Sequence, residues 1–273
     1  MSPRRSLSQY HPLFYFLGVW FYRIKRSLQW QFGSKKFSRS HDSTKLSHKV
    51  KVHSSVLIRK LGDSEMWLQE NKIKNLAIAT KSISGILIYP NEVFSFCRIV
   101  GLPTRTKGYV EGMEISRGEA RPGIGGGICQ IANMIYWLAL HSDLKVIERS
   151  HHGYDPFPDS NRVLPFGSGA AVFYNYIDLQ IENNTDSVFQ INLWLTDKHL
   201  KGEMRADREQ AYTYSVYEKN HCFRQEEGNY FRNNEIWRTK MVRNGGKIIS
   251  EEFITKNNAR VKYIPEQYKT SES

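Results

Sequence analysis

Between Arg121 and Gln130 the chain reads Arg-Pro-Gly-Ile-Gly-Gly-Gly-Ile-Cys-Gln, then turns apolar at helical spacing as far as Leu140. Three consecutive glycines lose too much backbone freedom to sit inside a helix or a strand. Ile131, Met134, Ile135 and Leu138 then repeat at the i, i+3, i+4, i+7 interval of one helix face. The sequence therefore predicts a glycine loop opening directly into a helix over about Cys129–His141, with Cys129 in the first turn. A thiol there meets the positive end of the helix dipole, which lowers its pKa. Gly125, Gly126 and Gly127 have no side chains to cover their N–H groups, as an anion or oxyanion site requires. No Gly-Lys-Ser/Thr closes the loop, which excludes a Walker-type nucleotide site. The plain alternative for Cys129 is a small buried residue at a tight loop–helix junction.

The flanking pattern is mixed. Asn71 to Ser84 carries Ile73, Leu76, Ala77, Ala79 and Ile83 at helical spacing and stops at Gly85. Short strands are expected at Ile86–Tyr89, Val93–Cys97, Gly108–Ile115 and Val146–His152. Further strands are expected at Ala170–Tyr176, Asp178–Asn183 and Val188–Leu195. Alternation over Tyr212–Glu218, Tyr230–Lys240 and Gly246–Ile254, with Asn244-Gly245-Gly246 as a hairpin signal, makes the last third β-rich and antiparallel. The fold class is α+β: a mixed, mainly antiparallel sheet packed on a few helices. Three units are expected: a basic amphipathic arm and linker over 1–50, an α+β domain over 51–205, and a β-rich extension over 206–273.

The net charge of +12 is confined to one end. Residues 1–60 hold 13 Lys and Arg against one acid, Asp42, and the remainder is neutral. The apolar run Leu13 to Tyr22 is too short for a bilayer span, which needs about 20 residues. Read as a helix, it continues into a face of Leu13, Phe16, Leu17, Trp20, Phe21, Ile24 and Leu28, with Arg23, Lys25, Arg26 and Gln29 largely off it. That pattern suits either an interfacial helix on an anionic membrane surface, through residues 4–30, or a helix docked on the domain with its basic face solvated. Residues 31–50 are polar and aperiodic, and read as a linker or long loop. No helix-turn-helix, zinc-finger or RNP pattern accompanies the charge, so nucleic acid is not the expected partner. Three cysteines without a CxxC pair argue against a disulfide framework or zinc ribbon. With no small-x-small cleavage site after the apolar run, they point to the cytoplasmic side, peripheral at the inner face of the membrane.

Downstream of the loop lie adjacent histidines, His151 and His152, which on an extended chain point to opposite sides, so only one faces Cys129. The loop after them brings Asp155, an acceptor able to orient an imidazole. One Cys and one or two His without fixed spacing make a weak metal signal, and no metal or cofactor is expected.

Phe94-Ser95-Phe96, Gly108-Tyr109, Gly125-Gly-Gly-Ile-Cys129-Gln130 and Glu148-Arg149 with His152 together resemble the VanW family. Gln69-Glu-Asn-Lys72 with Asn75-Leu76 is similar to the family's entry segment. The resemblance spans roughly residues 55–205. Members take their name from an accessory gene in clusters for vancomycin B-type glycopeptide resistance. The resemblance therefore implies a link to cell-wall peptidoglycan or its glycopeptide ligands, and no particular reaction. Cys129, Gln130, His152, Gly125, Gly126, Gly127, Glu148 and Arg149 match its distinctive positions. One departure stands out: where the family has Gly-x-Asp-Ala, this chain has Gly167-Ser168-Gly169-Ala170. If that aspartate orients the histidine or binds substrate, either Ser168 or Asp155 substitutes for it or this copy is inactive.

Two functional readings follow. In the first, Cys129 is a nucleophile, His152 its general base oriented by Asp155, and Gln130 with the loop N–H groups holds an oxyanion, for acyl transfer or amide hydrolysis. In the second, the loop binds an anionic cell-wall peptide or precursor without catalysis, helped by Arg121, Arg149, Glu148 and Ser168.

Overall fold

The computed structural model describes residues 12–58, 65–116, 119–151, 153–155, 158 and 163–268. In chain order the elements are α1 (Pro12–Phe32), β1 (Lys36–Phe37), β2 (His48–Val56), α2 (Met66–Ile83), β3 (Ile86–Ile88), β4 (Glu92–Ser95) and α3 (Phe96–Val100). Then come β5 (Glu111–Ser116), β6 (Glu119–Ile124), α4 (Cys129–Leu140), β7 (Lys145–Glu148), β8 (Tyr154–Asp155), β9 (Gln180–Glu182), β10 (Phe189–Leu195) and β11 (His199–Ala206). Three long strands close the chain: β12 (Tyr212–Glu226), β13 (Asn229–Val242) and β14 (Ile248–Val261). The class is α+β with a β-rich C-terminal third.

The core lies between helices and two four-stranded sheets. One sheet, in the order β2-β11-β10-β3, is antiparallel throughout; the other, β1-β4-β9-β7, has one parallel pair, β1 with β4. The helix α2 packs on β10, while α4 packs on β2, β11 and β7. Because both sheets reach it, α4 is covered on all sides: Ile131, Met134, Ile135 and Leu138 are buried as expected, and so are Tyr136 and Trp137 from off that stripe. Its C-terminal end is closed by Arg238, whose guanidinium donates to the carbonyls of Leu140 and Ser142 at 3.4 and 3.2 Å, a cation where the helix dipole is negative. The third sheet is the meander β12-β13-β14, with β8 added parallel to β14.

The structure departs from the sequence reading at several elements. The alternating run Val93–Cys97 stops as a strand at Ser95, because the Ser95 hydroxyl accepts Arg98 N–H at 3.3 Å and Asp178 accepts Cys97 N–H at 2.8 Å, starting α3. Ala170–Tyr176 is a turn rather than a strand, with Asn175 at φ 58° and a Phe173–Ile177 bridge. Glu119 to Ile124 is a strand pairing back on β5, so the loop proper is only Gly125–Ile128. Of the two readings of 31–50, the structure shows a long loop, held to the body where β1 pairs with β4 and Ser40 O accepts Leu87 N–H at 2.8 Å.

Candidate functional site

The glycine loop is fixed by what surrounds it. Gly127 has a φ of +95°, and a Cβ there would strike the Lys72 alkyl chain; one on Gly126 would strike the Gly112 backbone. No side chain fits at either position. The loop lies against a polar stripe on α2, at the i, i+3, i+6 positions Gln69, Lys72 and Asn75. All three are buried. The Asn75 amide donates to Gly126 O at 2.9 Å and Val110 O at 3.0 Å, and its oxygen accepts Val110 N–H at 2.9 Å. Lys72 Nζ donates to Gln69 Oε1 at 2.8 Å. The Lys72 alkyl chain thus lies against Gly127 at the entrance of α4, with its ammonium bonded back to Gln69.

Cys129 is the first residue of α4, as the sequence predicts. It is half-buried, and its thiol turns inward to donate to Val172 O at 3.6 Å. Burial pushes the thiol pKa up, partly offset by that bond, and Glu114 adds repulsion against a thiolate. The direction is opposite to the lowered pKa expected from the helix dipole, with burial as its main cause. The Gln130 amide does not turn toward the loop. It donates to Ser55 Oγ at 2.8 Å and Val56 O at 2.9 Å, tying α4 to the end of β2.

The other expected site residues are engaged elsewhere. Glu148 holds Arg26 of α1 in a two-pronged ion pair at 2.6 and 2.5 Å, and accepts Asp178 N–H at 3.2 Å. Arg149 stacks on Tyr136 at 4.9 Å and donates to the carbonyls of Gly169, at 2.9 Å, and Gly167. Ser168 is buried and donates to Pro165 O at 2.7 Å. Arg121 pairs with Glu114 across the β5–β6 hairpin at 2.7 Å. Asp155 is buried against Arg232 at 3.3 Å and the Tyr263 hydroxyl at 3.2 Å. His152 lies outside the described residues. At Gly169, the position of the missing aspartate, Asn133 Oδ1 takes Ala170 N–H at 2.7 Å and lies 2.7 Å from where a Cβ would stand.

Gln69, Lys72 and Asn75 were not legible as loop-holding residues from the sequence. Their signal was polar residues at helical spacing in an otherwise apolar helix, with a charge among them. Among the described residues no three His, Cys, Asp or Glu side chains converge as a metal site would. A cavity of about 310 Å³ lies among the described residues at the ends of β2 and β11, lined by Ser47, His48, Lys49, Arg205 and Arg243 and by no residue of the loop.

These features define an α+β protein whose central buried helix is entered through a triple-glycine loop locked by a Gln-x-x-Lys-x-x-Asn stripe. A family model described as VanW like protein matches residues 71–205. Vancomycin B-type resistance protein VanW of Enterococcus faecalis is 31% identical over 210 residues, 77% of this chain and 76% of that protein. The Bacillus subtilis protein YoaR, described as uncharacterized, is 32% identical over 115 residues, 42% of this chain and 36% of its own length. No solved structure matches. The chain belongs to the VanW family.

Proposed function

We propose that this protein serves cell-wall peptidoglycan metabolism, or resistance to glycopeptides, by binding an anionic wall peptide or precursor at the glycine loop. The link to the wall and to vancomycin rests on family membership. Binding rather than catalysis rests on one observation above the others: the half-buried Cys129 thiol is turned to Val172 O, where burial disfavours the reactive thiolate. Beside it the glycine loop opens a helix N-terminus with Lys72 against Gly127; the Gly125 and Gly126 N–H groups, expected to be uncovered, already donate to Val110 O and Gly123 O, so an anion there draws on the helix dipole and Lys72 rather than on those two amides.

The catalytic reading keeps Cys129 as nucleophile, His152 as base, Asp155 as its orienter and Gln130 as oxyanion donor. It requires the thiol and the Gln130 amide to leave their present partners. Titrating the full chain with a muropeptide bearing free carboxylates separates the two. Cys129→Ser should keep its affinity within about twofold, while Lys72→Gln should weaken it about tenfold or more, the scale of one charge-assisted contact. Turnover of the peptide by the unaltered protein, abolished in Cys129→Ser, would sink the binding reading.

A further inference from the structure

The helix α1 is docked the wrong way round for a soluble amphipathic helix. Its polar face grips the protein. Arg26 pairs with Glu148, Arg23 Nε donates to Tyr174 O at 3.3 Å, and the buried Asn175 amide donates to Arg23 O and Ser27 Oγ, both at 3.1 Å. Arg98 reaches from α3 to Trp30 O at 3.4 Å. The opposite face carries Leu13, Leu17, Phe21, Ile24, Leu28 and Phe32, between 50% and 81% exposed. At 100° per residue these six fall within a sector of about 100°. A contiguous apolar stripe of this size marks an interaction surface.

We propose that this outward face of α1 lies in the interface of an anionic lipid bilayer, with the helix parallel to the membrane plane. Charge selects that occupant. The first acidic residue of the chain is Asp42; before it stand Arg4, Arg5, Arg23, Lys25, Arg26, Lys35, Lys36 and Arg39. Of these, Lys25 borders the stripe and Lys35 follows the helix, both exposed. A second copy of the chain docking face to face would bring these cations together with no acid in α1 to pair them. Anionic headgroups would neutralise them. The mode is lying on the membrane, because no described helix is long and apolar enough to cross one. The inference is independent of what the glycine loop binds.

The test is flotation of the full chain with vesicles of phosphatidylcholine alone and of phosphatidylcholine with phosphatidylglycerol. Binding should require the anionic lipid and weaken as salt rises. Leu17→Ser/Phe21→Ser should bind at least tenfold more weakly with an unchanged circular dichroism spectrum and melting temperature, since both side chains already face solvent. Brominated lipid should quench emission of the bound protein, and Trp20→Phe should remove part of that quenching. No binding by the unaltered chain, or unchanged binding by the double variant, overturns the proposal. So does a dimer that the double variant converts to monomer without any effect on vesicles.

Discussion

The helices α1 and α4 are both rich in large apolar side chains, and the structure treats them oppositely. Between its two sheets α4 buries nearly every side chain from Ile131 to Leu140. On the outside of the same body, α1 is held by arginines and an asparagine and leaves its apolar stripe uncovered. Hydrophobic periodicity is present in both, so periodicity alone does not decide which face is buried. Partners decide it. The sheets offer α4 apolar surface all round, whereas the ground beneath α1 offers Glu148, Tyr174 O and Asn175, which match its polar side.

The sharpest break of this comparison is a truncation in each helix. Leu138→Ala in α4 removes a side chain with no exposure and should cost about 3 kcal/mol in chemical denaturation. Leu17→Ser in α1 should change stability by less than about 0.5 kcal/mol, as surface substitutions do. Equal losses would mean that α1 is packed against something in solution.

A smaller effect comes from His141, at the C-terminal end of α4. Its Nδ1 lies 2.9 Å from Trp137 O and its ring 4.5 Å from the Trp137 ring. Burial, reinforced by Lys51, His53 and Arg238, lowers its pKa from 6.5 to about 4. A depressed imidazole pKa means that the unfolded chain takes up a proton between pH 6.5 and 4 while the folded chain does not. Stability should therefore fall as the pH drops through that window, by about 2 kcal/mol between pH 7 and pH 5. Denaturation of His141→Gln at both pH values should show most of that difference gone. An identical pH dependence would place the acid sensitivity elsewhere.

Weaker still is the bond that holds α1. Glu148→Gln should cost about 1 kcal/mol of global stability, since Glu148 is about 30% exposed and partly screened. Locally the change should be larger: without the two-pronged pair, trypsin should cut at Arg23, Lys25 or Arg26 well before it cuts the body. A cleavage rate equal to that of the unaltered chain would show that Arg23 and Asn175 hold the helix on their own.

What could be read from the sequence follows the same division between local and distant causes. The loop, the start of α4 and its stripe were legible because glycines and apolar spacing act within a dozen residues. The burial of Tyr136 and Trp137 was not, since Trp137 lies against His53 of β2, 84 residues earlier, and Tyr136 lies under Arg149, which follows β7. Val93–Cys97 alternates like a strand, and Asp178, 81 residues beyond Cys97, turns its end into a helix. Gln130 was expected to hold an oxyanion at the loop, but its amide is bonded to Ser55, 75 residues earlier. The face of α1 was legible and its orientation was not, because Glu148 and Asn175 are more than 120 residues away.

The first turn of α4 is where the two regions meet, since the turn whose Val172 O holds the Cys129 thiol also carries Tyr174 and Asn175, which hold α1. Reactivity of the three thiols reads the state of that junction without perturbing it. Cys222 is exposed, Cys129 half-buried and bonded, and Cys97 buried beside Asp178 with its pKa raised well above the ordinary value. Iodoacetamide followed by mass spectrometry should label Cys222 first, Cys129 more slowly and Cys97 last, because the thiolate is the reacting species and burial disfavours it. Anionic vesicles should leave this order intact if α1 is docked in the same way on the membrane as off it. Labelling of Cys129 ahead of Cys222 would mean that its thiol leaves Val172 O and ionises at neutral pH. It would then move the argument from a binding loop to a nucleophile.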